Sequence, residues 1–283
     1  MRHSPVNPGV WPAPLAGGAG RDVPLVAVAH GSRDPRAAAT VEALLDSVRR
    51  ARPGLPVRTA YLDHATPSLA QALHGLTEAV VLPLLLTEAY HSRVDLPAAL
   101  NEARARDPRL SVRHGSTLGP HPLLLPALER RLAEAGVRPA DPGTAVVLVS
   151  AGSSDARANA VVARMARQWG RGGRLRPTGR PSGARSAPVR GAGWWAATAA
   201  YASAASPTPE EAVAELRRAG APRVAVAPYL LAPGHFADKV RRDTLAAGAD
   251  VVADVLGPAP ELTEILLERY VTATRVRAGA AAS

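Results

Sequence analysis

His30, Asp63 and His91 are the residues of this 283-residue chain whose types could do chemistry together. Two imidazoles and a carboxylate suit a borderline divalent ion such as Fe2+, Co2+ or Zn2+. The same groups can accept protons, because imidazole is neutral near pH 7 and a carboxylate is already ionised. Cysteine is absent. That excludes thiolate ligands, Fe–S clusters and disulfides, and leaves histidine and carboxylate as the good ligands. No histidines stand at i, i+4 as in H-E-x-x-H, which argues against a zinc protease. A P-loop, a G-x-G-x-x-G after a strand and a G-x-S-x-G elbow are all missing, so nucleotide binding and serine hydrolysis have no support. Each candidate also has a plainer reading. A single histidine at a strand end can be a surface or hydrogen-bonded residue, Asp63 can cap a loop, and His121 can neighbour a helix cap before Pro122. The set is more specific than its members. His3, His64 and His74 take the plainer reading.

Elements that would position these residues occur twice. Val26-Ala27-Val28-Ala29-His30-Gly31-Ser32-Arg33-Asp34 is repeated as Val147-Leu148-Val149-Ser150-Ala151-Gly152-Ser153-Ser154-Asp155. Tyr61, Asp63 and Pro67 align with Tyr201, Ser203 and Pro207. Pro83 and His91 align with Pro228 and His235, and Leu118-Gly119-Pro120 with Leu256-Gly257-Pro258. Four anchors in one order imply a duplicated unit of roughly 120–140 residues. His30 and Asp63 face Ala151 and Ser203, so the working site belongs to the first half.

Each copy alternates apolar runs with helical patterns. The first reads as strands over 23–29, 57–62, 79–85 and 110–113, with helices opening near Pro35, Pro67, Val94 and Pro122. The second reads as strands over 145–149, 195–201, 223–230 and 250–255, with helices from about Ala156, Pro209, Phe236 and Pro260. This alternation predicts an α/β chain of parallel sheets with right-handed crossovers. Four βα units per copy predict two flavodoxin-like, doubly wound domains packed as a pseudo-dimer. The expected division is a disordered tail at 1–22, a first domain at 23–137 carrying the site, a linker at 138–143, and a degenerate second domain at 144–278. An Arg/Gly/Pro-rich loop interrupts the second domain at 171–192. In such sheets ligands bind beyond the carboxyl ends of the strands. His30, Asp63, Glu88, His91, His114 and His121 all follow strands of the first half, and are expected at one sheet edge.

Composition bounds the partners. Net charge is +10, almost all from arginine, which fits either an anionic partner or an arginine-favouring coding bias. The basic stretch from Arg171 to Arg190 is rich in Gly, Pro and Ser and lacks interleaved aromatics until Trp194-Trp195, so no nucleic-acid module is expected. No apolar run approaches the ~20 residues of a membrane span, and residues 1–22 lack the apolar core of a signal peptide. A cytoplasmic monomer, with no membrane partner, is the expectation.

Taken together, His30-Gly31-Ser32-Arg33-Asp34, Tyr61-Leu62-Asp63 with Pro67-Ser68-Leu69, Pro83-Leu84-Leu85-Leu86 leading to His91 with Asp95-Leu96-Pro97, and Leu118-Gly119-Pro120-His121-Pro122 resemble the sirohydrochlorin chelatases of the CbiX and SirB type, the class II tetrapyrrole chelatases. The resemblance covers about residues 23–135 strongly and 143–275 through the duplicated anchors. It implies insertion of Fe2+ or Co2+ into sirohydrochlorin, towards siroheme or cobalamin, in a cleft between two flavodoxin-like halves. It implies no cofactor beyond the substrate metal. By position, His30 and His91 match the family's active-site histidines. Asp63 stands where glutamate is usual, so the carboxylate is one methylene shorter. His30, His91 and Asp63 are the expected catalytic and metal-holding residues. Ser32, Arg33, Arg93, His121 and His235 are the expected contacts to the polycarboxylate macrocycle, with the arginines able to hold its carboxylates bidentately. A non-catalytic metal- or tetrapyrrole-binding protein on the same scaffold is the alternative.

Overall fold

The computed structural model of the protein describes residues 22–87, 95–170 and 193–280. His91, Arg93, Glu88 and the basic loop at 171–192 lie outside the described residues. The first copy comprises β1 (Leu25–Ala29), α1 (Pro35–Ala51), β2 (Val57–Tyr61), α2 (Leu69–Leu73), β3 (Glu78–Pro83), α3 (Leu96–Arg106), β4 (Ser111–His114) and α4 (Leu124–Glu134). The second comprises β5 (Thr144–Ser150), α5 (Ala156–Gly170), β6 (Ala196–Tyr201), α6 (Pro209–Arg218), β7 (Arg223–Tyr229), α7 (His235–Ala246), β8 (Val251–Val252) and α8 (Pro260–Ala280).

Both sheets are wholly parallel, in the orders β2-β1-β3-β4 and β6-β5-β7-β8. This is the flavodoxin-like order without a fifth strand, and its switch points lie between β1 and β3 and between β5 and β7. Every residue of β1 and β5 is buried, as their unbroken apolar runs require. Alternation divides their side chains between two layers. Val26 and Val28 face α2 and α3, while Leu25, Ala27 and Ala29 face the centre of the molecule. In the second sheet Val147 and Val149 face α6 and α7, whereas Val146 and Leu148 face the centre.

The central layer joins the halves by exchanging helices. α4, last in the first copy, packs on β7 of the second sheet, and α8 packs on β3, β4 and α1 of the first. Leu262, Ile265 and Leu266 of α8 are fully buried, each worth about 1.5–3 kcal/mol of apolar burial. The Tyr270 hydroxyl donates to the Val23 carbonyl at 2.8 Å, and the Arg52 guanidinium lies 5.0 Å from its ring centroid. Arg131 donates to the Leu256 carbonyl at 2.7 Å, and Arg130 pairs with Glu261 at 2.6 Å. One continuous core therefore crosses the sequence duplication.

Local differences from the sequence reading have plain causes. α2 begins after Ser68 rather than at Pro67, because Ser68 and Gln71 form a reciprocal capping box while the Pro67 carbonyl accepts from Tyr61 N–H. β3 stops at Pro83, and the edge strand β8 keeps two paired residues of the expected six before the chain turns away. No helix among the described residues is long and apolar enough to cross a membrane.

Candidate functional site

The end of β1 shows how the repeated motif works. The His30 carbonyl accepts from Asp63 N–H at 2.9 Å, tying the β1 turn to the end of β2. Gly31 then takes φ +100°, and a Cβ placed there would lie 1.7 Å from the Asp63 carbonyl oxygen. Only glycine combines that backbone with that approach. Next, Ser32 Oγ accepts from Asp34 N–H at 3.1 Å, and Asp34 accepts from Arg36 N–H at 2.9 Å to cap α1. The second copy repeats each contact. The Ala151 carbonyl accepts from Ser203 N–H at 2.9 Å, and Gly152 has φ +86°. Ser153 Oγ accepts from Asp155 N–H at 3.0 Å, and Asp155 from Arg157 N–H at 2.9 Å. The scaffold of the turn is duplicated, with His30 and Asp63 on the first copy where Ala151 and Ser203 stand on the second.

The carboxyl edges of both sheets open onto one cleft of about 1030 Å³. Its first wall carries His30, Ser32, Arg33 and His64, and its second Ser153, Ser203, His235 and Phe236. Leu84, Leu86, Leu230, Tyr61 and Tyr229 make much of the rest of its lining. Burial pushes the Tyr229 phenol up, and burial with the Glu42 charge pushes up that of Tyr61. Both phenols therefore stay protonated at neutral pH. Tyr229 donates across the halves to the Leu86 carbonyl at 2.7 Å. Beside the cleft, an ion-pair clasp also spans the halves. Arg36 on α1 reaches Asp238 on α7 at 2.5 Å and Asp34 at 2.6 Å. The Arg36 guanidinium holds both carboxyls below the usual carboxylate range.

His30, Ser32, Arg33 and His235 thus line the same cleft. Asp63 does not line it. His64 has a left-handed backbone, φ +59°, and the Asp63 carboxylate folds back over this turn. It accepts from His64 N–H at 2.7 Å and lies 3.2 Å from His64 Nε2. His121 is also elsewhere, and its expected contact to a guest needs correction. It is half-buried at the seam with α8, with Nε2 3.1 Å from Glu268 and Nδ1 accepting from Leu123 N–H at 3.2 Å. Acceptance at Nδ1 assigns the proton to Nε2, so both ring nitrogens are engaged within the protein. His114, at the end of β4, is exposed. No trio of His, Asp or Glu is gathered as a metal shell among the described residues. His91 and Arg93 stand outside them.

The CbiX family model matches the chain twice, over residues 24–135 and 145–273. The chain belongs to the CbiX family. The two matches coincide with the two copies of the β1 motif. A sirohydrochlorin cobaltochelatase of Priestia megaterium is 31% identical over 152 residues, spanning 50% of this chain and 48% of that relative. A sirohydrochlorin ferrochelatase of the same organism is 24% identical over 255 residues, 87% of this chain and 88% of its own length. Among solved structures, SirB from Bacillus subtilis with Fe3+ aligns at TM-score 0.71 and 21% identity, covering 91% of this chain and 98% of that one. CbiX, described as the terminal enzyme for biosynthesis of siroheme in denitrifying bacteria, aligns at 0.62 and 22% identity, covering 88% and 98%. These structural likenesses establish the CbiX-type fold.

Two cleft residues of this CbiX-family chain escaped the sequence reading. His64 takes the plainer surface reading in the sequence, yet it lines the cleft. The signal was present in the duplication, because Asp63-His64 faces Ser203-Ala204, and Ala204 repeats the left-handed turn at φ +58°. Both polar residues disappear together from the second copy. Phe236 follows His235 directly and was read only as a helix start.

Proposed function

We propose that this CbiX-family protein is a sirohydrochlorin chelatase, placing Fe2+ or Co2+ into the tetrapyrrole within the cleft between its sheets. The observation that carries the reading is the shared cleft of about 1030 Å³ with His30 on its wall, in a chain that the family model matches along both copies. That volume stands at the upper end of small-molecule sites, as a large planar guest needs.

Insertion exchanges both inner pyrrole protons for one divalent ion, which must shed water on the way. His30 and His91 are assigned to hold the ion loosely and to accept the protons, with neutral imidazole suited to both tasks. An open site of few ligands releases its metal, whereas a closed four-ligand site keeps it. Asp63 can add its carboxylate only by leaving His64, and meanwhile keeps that imidazole oriented. Ser32, Arg33, Arg93 and His235 are the proposed contacts to the macrocycle's carboxylates. The excess of arginine favours capture of a polyanion.

The test is an anaerobic insertion assay on purified protein with Fe2+, Co2+ and Ni2+, followed by the absorbance of sirohydrochlorin. Insertion above the metal-only rate is expected. His30→Ala and His91→Ala should each remove most of it with the fold intact, and His235→Ala should matter less. Equal loss from all three would move the chemistry out of the first half. Binding of sirohydrochlorin with no acceleration would favour a carrier on this scaffold.

A further inference from the structure

Phe236 is the single phenylalanine of the chain, and it is 42% exposed. A lone exposed apolar side chain needs no explanation on most surfaces. This one has a particular address. Of the large apolar side chains exposed among the described residues, Trp195, Phe236 and Leu245, Phe236 alone lines the cleft. Its neighbour on α7 is also aromatic. The His235 ring packs against it edge to face, with centroids 5.9 Å apart and planes at 61°. Two adjacent rings at the cleft offer a flat guest both a face and an edge to pack on.

The duplication sharpens the point. Residue 236 aligns with Ser92, since His235 aligns with His91. The second copy therefore lost His30 and Asp63 to Ala151 and Ser203, but has an aromatic ring where the first copy has a hydroxyl. Asp63-His64 became Ser203-Ala204 on the same wall. Loss of polar chemistry and presence of a π face fall on one side of one cleft.

We propose that Phe236, braced by His235, is the stacking platform that seats the tetrapyrrole ring against the second half, while the first half handles metal and protons. This rests on the chelatase reading and adds a positioning residue to it. The ring contributes to binding of the metal-free macrocycle and leaves the insertion step to groups on the opposite wall.

Sirohydrochlorin binding without metal, read by quenching of the macrocycle's fluorescence, tests the platform in the full chain. Phe236→Ala should weaken Kd about tenfold, as expected for an aromatic contact plus its buried area. Phe236→Tyr should bind like wild type, and Phe236→Leu should recover only part of the loss because it restores area without a π face. In the insertion assay KM should rise in step with Kd while kcat stays within about twofold. Because the side chain is exposed, melting temperatures should stay level, which separates lost stacking from lost folding. A Kd for Phe236→Ala within twofold of wild type would overturn the platform alone, as would full recovery by leucine. Failure of the wild-type protein to bind sirohydrochlorin would overturn the chelatase reading, and the platform with it.

Discussion

Replacing Gly31 by alanine tests whether the β1 turn sets the geometry of the cleft. The new Cβ would sit 1.7 Å from the Asp63 carbonyl oxygen, with φ at +100°. No rotamer relieves this clash, because it lies between a Cβ and backbone. The strained backbone costs about 1–3 kcal/mol. Moving the loops apart also breaks the Asp63 N–H to His30 carbonyl bond, worth about 1 kcal/mol net. The sum is about 2–4 kcal/mol. At roughly 2–4 °C per kcal/mol for a chain of this size, melting should fall by roughly 4–16 °C.

Gly152→Ala is the internal control. Its Cβ would lie 1.9 Å from the Ser203 carbonyl at φ +86°, so the loss of stability should be similar. The two variants should part company in the insertion assay. Gly31→Ala displaces His30 and should reduce insertion at least tenfold at a temperature where both variants remain folded. Gly152→Ala moves a wall that carries Ala151 and should cost far less. Differential scanning fluorimetry and the anaerobic assay supply both readings. A Gly31→Ala protein melting within 1–2 °C of wild type would refute the steric argument. Equal loss of insertion in both variants would refute the assignment of chemistry to the first copy.

Two further perturbations address the seam between the halves. Tyr229→Phe removes the donor to the half-buried Leu86 carbonyl, a bond worth about 1 kcal/mol net; a drop of a few degrees in apparent melting temperature is expected, and an unchanged melt would show that water replaces the hydroxyl. Asp238→Asn probes the Arg36 clasp through pH. Asp34 and Asp238 are more acidic folded than unfolded, so the clasp contributes fully above the ordinary carboxylate value of 3.8 and is lost as pH falls through the lower folded values. The melting difference between wild type and Asp238→Asn should therefore shrink below about pH 4, and also in high salt because the pair is exposed; a difference constant across pH and salt would refute the electrostatic account.

Much of the fold was legible because the burial of each strand is written in its composition. β1 and β5 are unbroken apolar runs, and buried parallel strands have that pattern. The helix starts at Pro35 and Pro209 were legible because proline fits the first turn and Asp34 and Thr208 supply the caps. The exchange of α4 and α8 was not. The apolar residues of α8 state that it is buried, but not under which sheet, since pattern carries no address. At the site, the position of His30 followed from its place after β1. The direction of Asp63 did not, because it depends on the left-handed turn at His64, a conformation disfavoured for a residue with a Cβ. His121 was misplaced for a related reason. Its partner Glu268 lies 147 residues away on the exchanged helix, beyond any local pattern.

The exchange of helices also bears on why a duplicated scaffold can afford an eroded copy. If the halves were independent domains, loss of Ala151 and Ser203 positions to inert residues would leave one working domain and one idle one. Here α8 covers the first sheet and Tyr229 anchors Leu86, so the second copy supports the first whatever it has lost. The second copy keeps the backbone of the turn and so keeps the wall of the cleft. The Gly152 turn keeps glycine-only geometry beside Ala151 because the wall must hold its shape, not because a ligand follows it.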